Sequence, residues 1–274
     1  MGSWVHSGGY RRDHLLRTPE SLRPDTVYPL LIFLHGAGGT GAGLHSWINP
    51  DSATAAAGLI AVYPEGLDKS WEVGCGPCSS PGMQGVDDIL FINTLIDQLS
   101  GSLPVAESRI YLAGHWLGAQ FVHYYACESP RPPAGIAAIS GLWLRRTAVG
   151  CPRNRDVSVL MVHGDRDAIL SWEGPRRDIS ALSMPEALER WRDLLQCREN
   201  PAVIETPDSM GDGTSVQSTT VSGCRASTRV ELHRIRGGGH GWPGRARSVP
   251  ALGPHTANLD GLTEILRFFG SAGR

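Results

Sequence analysis

The stretch Arg109–Cys127 limits the possible folds more than any other part of the 274-residue chain. An apolar run, Ile110 to Ala113, meets two closely spaced glycines, Gly114 and Gly118, and a helical pattern follows at once. A chain passes from strand to helix in so few residues only through a tight turn. Side chains beside such a bend would clash, which makes it a place for glycine. The strand then lies inside a sheet and the helix packs back across it. Further apolar runs fit the same arrangement: Tyr28–Leu34, Gly58–Pro64, Gly135–Ser140 and Val157–Gly164 are unbroken rather than alternating. Strands buried on both faces read in this way, and they belong to parallel sheets covered by helices. Helical patterns at Asp51–Ala57, Val86–Leu99, Pro185–Leu195 and Leu259–Phe269 separate or close these runs, the second with acids in its first turn and the third with Pro there. The expected fold class is α/β, a mostly parallel central sheet with helices on both faces. Arg229–Ile235 is expected to be the last strand, and His14–Arg17 part of an edge pair.

Composition then removes several function classes. Hydrophobic residues make up 41% and charged ones 19%, with a formal net charge of −2, which suits a globular protein and leaves no basic footprint for nucleic acid. No apolar run approaches the ~18 residues of a membrane span. A small neutral substrate or a neutral polymer fits better, and a monomer is expected. No break in composition marks a linker, so residues 1–274 are expected to form a single domain, with 1–27 as an edge segment and 198–228 as a polar excursion. Met1-Gly2-Ser3 reads as an expression remnant, and a leader is expected to have been removed.

Cys75, Cys78, Cys127, Cys151, Cys197 and Cys224 form an even set, which points to half-cystines and a secreted or periplasmic location. Cys197 and Cys224 flank the same polar excursion, and a bridge between them would close a loop with little core of its own. Cys75-Gly-Pro-Cys78 matches the thioredoxin redox motif letter for letter. That chemistry needs the first cysteine at a helix start, whereas Ser79-Ser-Pro-Gly82 promises turns and no helix. A local structural disulfide or separate pairings are preferred. Asp208–Asp212 superficially suggests a calcium loop but is too short and too poor in acids, so no metal is expected.

The chemistry lies at the turns. Gly114-His115-Trp116-Leu117-Gly118 has the layout of a nucleophile elbow, whose central residue is Ser in Gly-x-Ser-x-Gly. Trp116 stands there instead, and indole cannot form and release an acyl intermediate. The glycine loop after His35-Gly36 is followed by no Gly-Lys-Ser/Thr and no identifiable ribose ligand, which argues against phosphate binding. Its Ala37 N–H and the Leu117 N–H are the expected oxyanion donors. On spacing alone either Asp165 or Asp167, just past the strand Val157–Gly164, can serve as the acid of a triad. His240, in a glycine-dense loop after the last strand, is the candidate base. Taken singly, each of these would read as a solvated loop residue; the order nucleophile, acid, base is that of α/β-hydrolases.

Leu34-His-Gly-Ala-Gly-Gly39, Tyr63-Pro-Glu-Gly-Leu-Asp68 with Ser70-Trp71, Gly85-Val-Asp-Asp88, Tyr111–Glu128, His163-Gly-Asp-Arg-Asp167 and Gly237-Gly-Gly-His-Gly-Trp-Pro-Gly244 cover roughly residues 28–270. Together they resemble the polyhydroxybutyrate depolymerase and feruloyl esterase-like family of secreted α/β-hydrolases. The resemblance implies that fold, a polymeric or small ester as substrate, no cofactor, Asp167 rather than Asp165 as the acid, and His240 as the base. It also implies disulfides Cys197–Cys224 and Cys127–Cys151, with Trp71 and Trp242 at the substrate. The departure is Trp116, and no second Gly-x-Ser-x-Gly replaces it. A single base separates the codons TCG and TGG, so a serine esterase inactivated by one substitution is the favoured reading, since Asp167, His240 and both glycine loops are intact. The alternative is a natural relative that binds esters or glycans without cleaving them. A bulky aromatic also suits the strained elbow poorly, and Trp116 is expected to plug the acyl pocket.

Overall fold

The apolar runs become the middle of a sheet. The computed structural model describes residues 4–23, 25–175, 180–245 and 250–271. In chain order these contain β1 (Trp4–Ser7), β2 (Tyr10–Arg17), β3 (Tyr28–Leu34), α1 (Gly41–Ile48), α2 (Asp51–Ala56), β4 (Ile60–Pro64), α3 (Ser80–Met83), α4 (Asp88–Ser100), β5 (Val105–His115) and α5 (Leu117–Glu128). There follow β6 (Gly135–Ile139), α6 (Arg145–Gly150), β7 (Ser158–Gly164), α7 (Met184–Leu194), β8 (Ala202–Thr206), β9 (Ser215–Val221), β10 (Val230–Arg236) and α8 (Gly261–Ser271). Among the described residues one ten-stranded sheet runs in the order β1-β2-β4-β3-β5-β6-β7-β10-β9-β8. The six strands from β4 across to β10 are parallel, and antiparallel pairs extend both edges.

The strands are continuous apolar runs because both faces are covered. Leu30, Ile32 and Leu34 enter one core with Phe91 and Leu95 of α4, Phe121 of α5 and Trp191 of α7. Leu31 and Phe33 enter the other with Leu44 and Ile48 of α1 and Ile265 and Phe268 of α8. Each such side chain contributes about 1.5–3 kcal/mol on burial. The edge hairpin is tied in by an ion pair: Arg12 donates to Asp88 at 2.8 Å, and both side chains are buried.

Two elements differ from the sequence expectation, and a third, expected as a hairpin or polar excursion, takes a definite form. Helix α1, for which the sequence reading gave no element, follows the glycine loop, and its Gly41 packs so closely on β4 that a Cβ would lie 2.4 Å from the Tyr63 carbonyl oxygen. Thr40 caps it by accepting from the Gly43 N–H. Helix α3 is a single turn after Cys78, capped by Ser79, where turns alone were expected. The polar excursion is the hairpin β8–β9, laid antiparallel on β10, with β8 fully exposed at the sheet edge.

Candidate active site

The elbow is a backbone construction. Strand β5 ends at His115, α5 begins at Leu117, and Trp116 between them adopts φ 52°, ψ −111°. A non-glycine residue held there stores on the order of 1–3 kcal/mol. Both glycines are required: a Cβ on Gly114 would lie 2.2 Å from the Gly118 carbonyl, and one on Gly118 would lie 2.3 Å from the Leu34 carbonyl oxygen. The Trp116 N–H donates to Ile139 O at 3.0 Å, and Trp116 O accepts from the Gln120 N–H at 3.1 Å. Nothing in this list involves the indole. The Leu117 N–H, first in its helix, has no intrahelical acceptor.

The glycine loop beside the elbow is sewn to the segment Glu65–Trp71. The Gly66 N–H donates to His35 Nε2 at 2.9 Å, so His35 carries its proton on Nδ1 and donates it to Gly36 O at 2.8 Å. Burial lowers the His35 pKa, which keeps the ring neutral for this role. The Trp71 Nε1–H donates to His35 O at 2.9 Å, and the Gly38 N–H donates to Lys69 O at 2.8 Å.

On the opposite side, the loop after β7 brings up Asp167 and the loop after β10 brings up His240, the residues expected to be acid and base. Asp167 Oδ2 accepts from His240 Nδ1 at 2.7 Å. Its Oδ1 accepts from the Ile169 and Leu170 N–H groups, both at 2.8 Å. Burial alone would raise the Asp167 pKa, but the hydrogen bond from His240 and the charges of His240 and His163 hold it below the usual value. His163, also buried, donates from Nε2 to Leu170 O at 2.7 Å and lies 3.3 Å from Asp167 Oδ2. Asp165, equivalent on spacing, is turned away to Arg234 at 3.0 Å and the Gly237 N–H at 2.7 Å. His240 is fully buried, and its Nε2 has no hydrogen-bond partner among the described residues.

The indole of Trp116 stands perpendicular to the His240 ring, with centroids 5.2 Å apart. It also packs on the glycine loop, for a Cβ on Gly36 would lie 3.1 Å from Trp116 Cβ and 3.3 Å from Cε3. The indole therefore takes the space between loop and base, but it does not close the site. A cavity of about 360 Å³ remains, lined by residues 35–40, Trp47, Lys69, His115, Trp116 and Leu252 among others.

Trp71 and Trp242 are not part of that cavity, contrary to the expectation that they meet substrate. Trp71 is fully buried and stacks on Phe91 and Phe121, where its N–H positions the glycine loop. Trp242 is fully buried in the core beneath α8. Both indoles serve here as packing. The described cysteines form three disulfides: Cys75–Cys78, Cys127–Cys151 and Cys197–Cys224. The second fastens α5 to the residue after α6, and the third closes the β8–β9 hairpin across a separation of 27 residues, worth roughly 3–4 kcal/mol in the chain-entropy account. Cys75 sits before the helix turn that begins at Ser80, away from the helix start that redox chemistry needs. Asp208 and Asp212 accept hydrogen bonds from their own turn and from Asn258, and among the described residues no cluster could hold a metal. The loop Glu65–Trp71, for which the sequence offered no structural role, is the clamp on the glycine loop. Its sequence signals were its place directly after a buried strand and its share in the motif resemblance.

No family model matches the chain. It is similar to three curated proteins named as esterases. It is 27% identical over 232 residues to NocK of Nocardia uniformis subsp. tsuyamanensis, covering 79% of this chain and 66% of that protein. It is 24% identical to the bifunctional acetylxylan esterase/xylanase XynS20E of Neocallimastix patriciarum, covering 88% and 32%. It is 26% identical to a feruloyl esterase C of Aspergillus niger, covering 85% and 77%. The chain thus spans just under two thirds of the first and a third of the second. Among solved structures, the acetyl xylan esterase of Aspergillus awamori superposes with a TM-score of 0.62 at 15% identity, covering 94% of each chain. Esterase PE8 does so with 0.57 at 17% identity, covering 95% and 99%. With the mostly parallel sheet and its two helix layers, these likenesses show an α/β-hydrolase fold.

Proposed function

We propose that the chain is a serine-type carboxylic ester hydrolase in architecture, with Trp116 at the nucleophile position, and that as it stands it turns esters over negligibly. One observation carries the reading: the buried Asp167–His240 pair at 2.7 Å leaves His240 Nε2 without a partner among the described residues, and the His240 ring lies beside the elbow residue with centroids 5.2 Å apart. With a serine at 116, its hydroxyl oxygen attacks the ester carbonyl while His240 Nε2 takes the proton. His240 then returns the proton to the departing alcohol, and water releases the acyl group by the same route in reverse. Asp167 holds the Nδ1–H tautomer, and the Ala37 and Leu117 N–H groups stabilise the oxyanion at ~3 kcal/mol each. The names of the similar proteins support an ester as substrate. The motif resemblance points to polyhydroxybutyrate-type or feruloylated polymers. The three disulfides support a secreted or periplasmic location. The test is p-nitrophenyl acetate hydrolysis by the chain and by Trp116→Ser, with His240→Ala added to the latter; a parent as active as Trp116→Ser would overturn the assignment of the elbow. A natural binder without turnover is the second reading, favoured by the cavity that stays open beside the indole. It gains if Trp116→Ser still binds esters and cleaves none.

A further inference from the structure

The chain contains 25 Lys and Arg residues, and Lys69 is its sole lysine. Lys69, itself exposed, lines the cavity beside Trp116, where among the described residues it is the one Lys or Arg of the lining and no carboxylate joins it. The nearest acids in sequence are engaged elsewhere. Asp68 accepts from Ser80 and Gln84, both at 2.6 Å. Glu65 accepts from the Ala42 N–H at 3.3 Å and approaches His35 Nε2 at 4.0 Å, so it already neutralises the start of α1. The backbone under Lys69 is fixed. Asp68 and Lys69 both take left-handed conformations, with φ 51° and 56°, and the Lys69 N–H and C=O are bonded to Gly66 O at 3.1 Å and to the Gly38 N–H at 2.8 Å. The ammonium is therefore carried on the same clamp that positions the oxyanion loop.

An ammonium with no partner among the described residues, on a wall that Ala37 of the glycine loop also lines, favours an anion, and two indoles, Trp47 and Trp116, supply flat apolar faces. The volume of about 360 Å³ lies at the lower end for ligand sites. We infer that this cavity binds a small planar organic carboxylate with Lys69 as its counter-ion. The inference deepens the ester-hydrolase reading of the same site: its preferred esters carry a carboxylate within reach of Lys69. Because the carboxylate can be tested without chemistry, the two readings separate.

The experiment is calorimetric titration of the chain as it stands with benzoate and with its neutral isostere benzamide, at constant ionic strength. Benzoate is expected to bind more tightly than benzamide, to lose about three- to tenfold in affinity in Lys69→Gln, and to keep most of it in Lys69→Arg. Benzamide is expected to bind all three alike. Equal affinity for the two probes, an unchanged benzoate affinity in Lys69→Gln, or no benzoate binding overturns the inference. Benzoate selectivity together with an inactive Trp116→Ser keeps it and sinks the esterase reading; turnover by Trp116→Ser without selectivity does the opposite.

Discussion

The two sides of the elbow are held by different means. On the Asp167–His240 side, side chains hold side chains: a buried carboxylate spends its lone pairs on His240 and two loop N–H groups, while His163 closes it in from behind. On the Gly36–Trp116 side, backbone holds backbone. The turn is fixed by the Gly114–Gly118 and Gly118–Leu34 approaches, by the Trp116 N–H on Ile139 O, and by the Lys69 carbonyl on the glycine loop. The difference teaches why, on the proposed reading, a residue unable to do the chemistry can stand at the elbow while Asp167 and His240 stay paired. An arrangement of backbone groups survives a change of the side chain it presents, whereas an arrangement of side chains does not.

The comparison is tested most severely by Trp116→Ser, which changes the backbone-held side and should leave its shape alone. Turnover of p-nitrophenyl acetate should rise by about 10⁴- to 10⁶-fold, the range lost when a serine nucleophile is removed from comparable sites. A crystal structure of that variant with a shifted elbow would break the comparison even if some activity returned. Next in size, Asp167→Asn in the Trp116→Ser background should lower kcat by about 10⁴-fold, because the amide lets His240 take the wrong tautomer. Asp165→Asn, which touches Arg234 and Gly237, should leave kcat within a few-fold, measured in the same assay. Gly118→Ala follows. Its Cβ would meet Leu34 O at 2.3 Å, which is backbone and cannot swing aside, so thermal unfolding should show a loss of about 1–3 kcal/mol or more.

The same division explains what could be read from the sequence. Strands β3, β4, β5, β6 and β7 were legible because burial on both faces leaves an unbroken apolar run. The elbow was legible because a close backbone approach demands glycine at fixed positions, and those glycines are visible in one dimension. Asp167 and His240 could be placed at strand ends, but choosing Asp167 over Asp165 needed either the motif resemblance or the three-dimensional contact, since both carboxylates lie past the same strand. Trp71 and Trp242 were misplaced for a related reason. A tryptophan in a loop near a motif can face ligand or core, and only the packing of Trp71 on Phe91 and Phe121 decides which. Helix α1 was hidden by Gly41 and Gly43, which weaken helix propensity locally although Gly41 is there for contact with β4.

The smallest effect is a difference between two pH profiles of stability, and it isolates the side-chain-held half. Asp167 has its pKa below the ordinary 3.8: burial would raise it, but His240 and His163 outweigh burial. A carboxylate depressed in the folded state contributes stability that is fully present above its unfolded pKa and is lost as pH falls through the folded value. Acid should therefore remove a contribution from the parent that Asp167→Asn never had, so the two unfolding curves should converge as pH drops from about 5 towards 2. Glu231 titrates in the same window, since its carboxylate is held to about 2 by His233 and Arg267 against the opposing effect of burial. It lies on β10 and is unchanged in both proteins, so it cancels in the difference. Urea unfolding at a series of pH values measures the gap. A gap that stayed constant or widened on acidification would mean that the Asp167 carboxylate is not stabilised by its partners, and the contrast between the two halves of the site would then fail on the side where it is drawn most firmly.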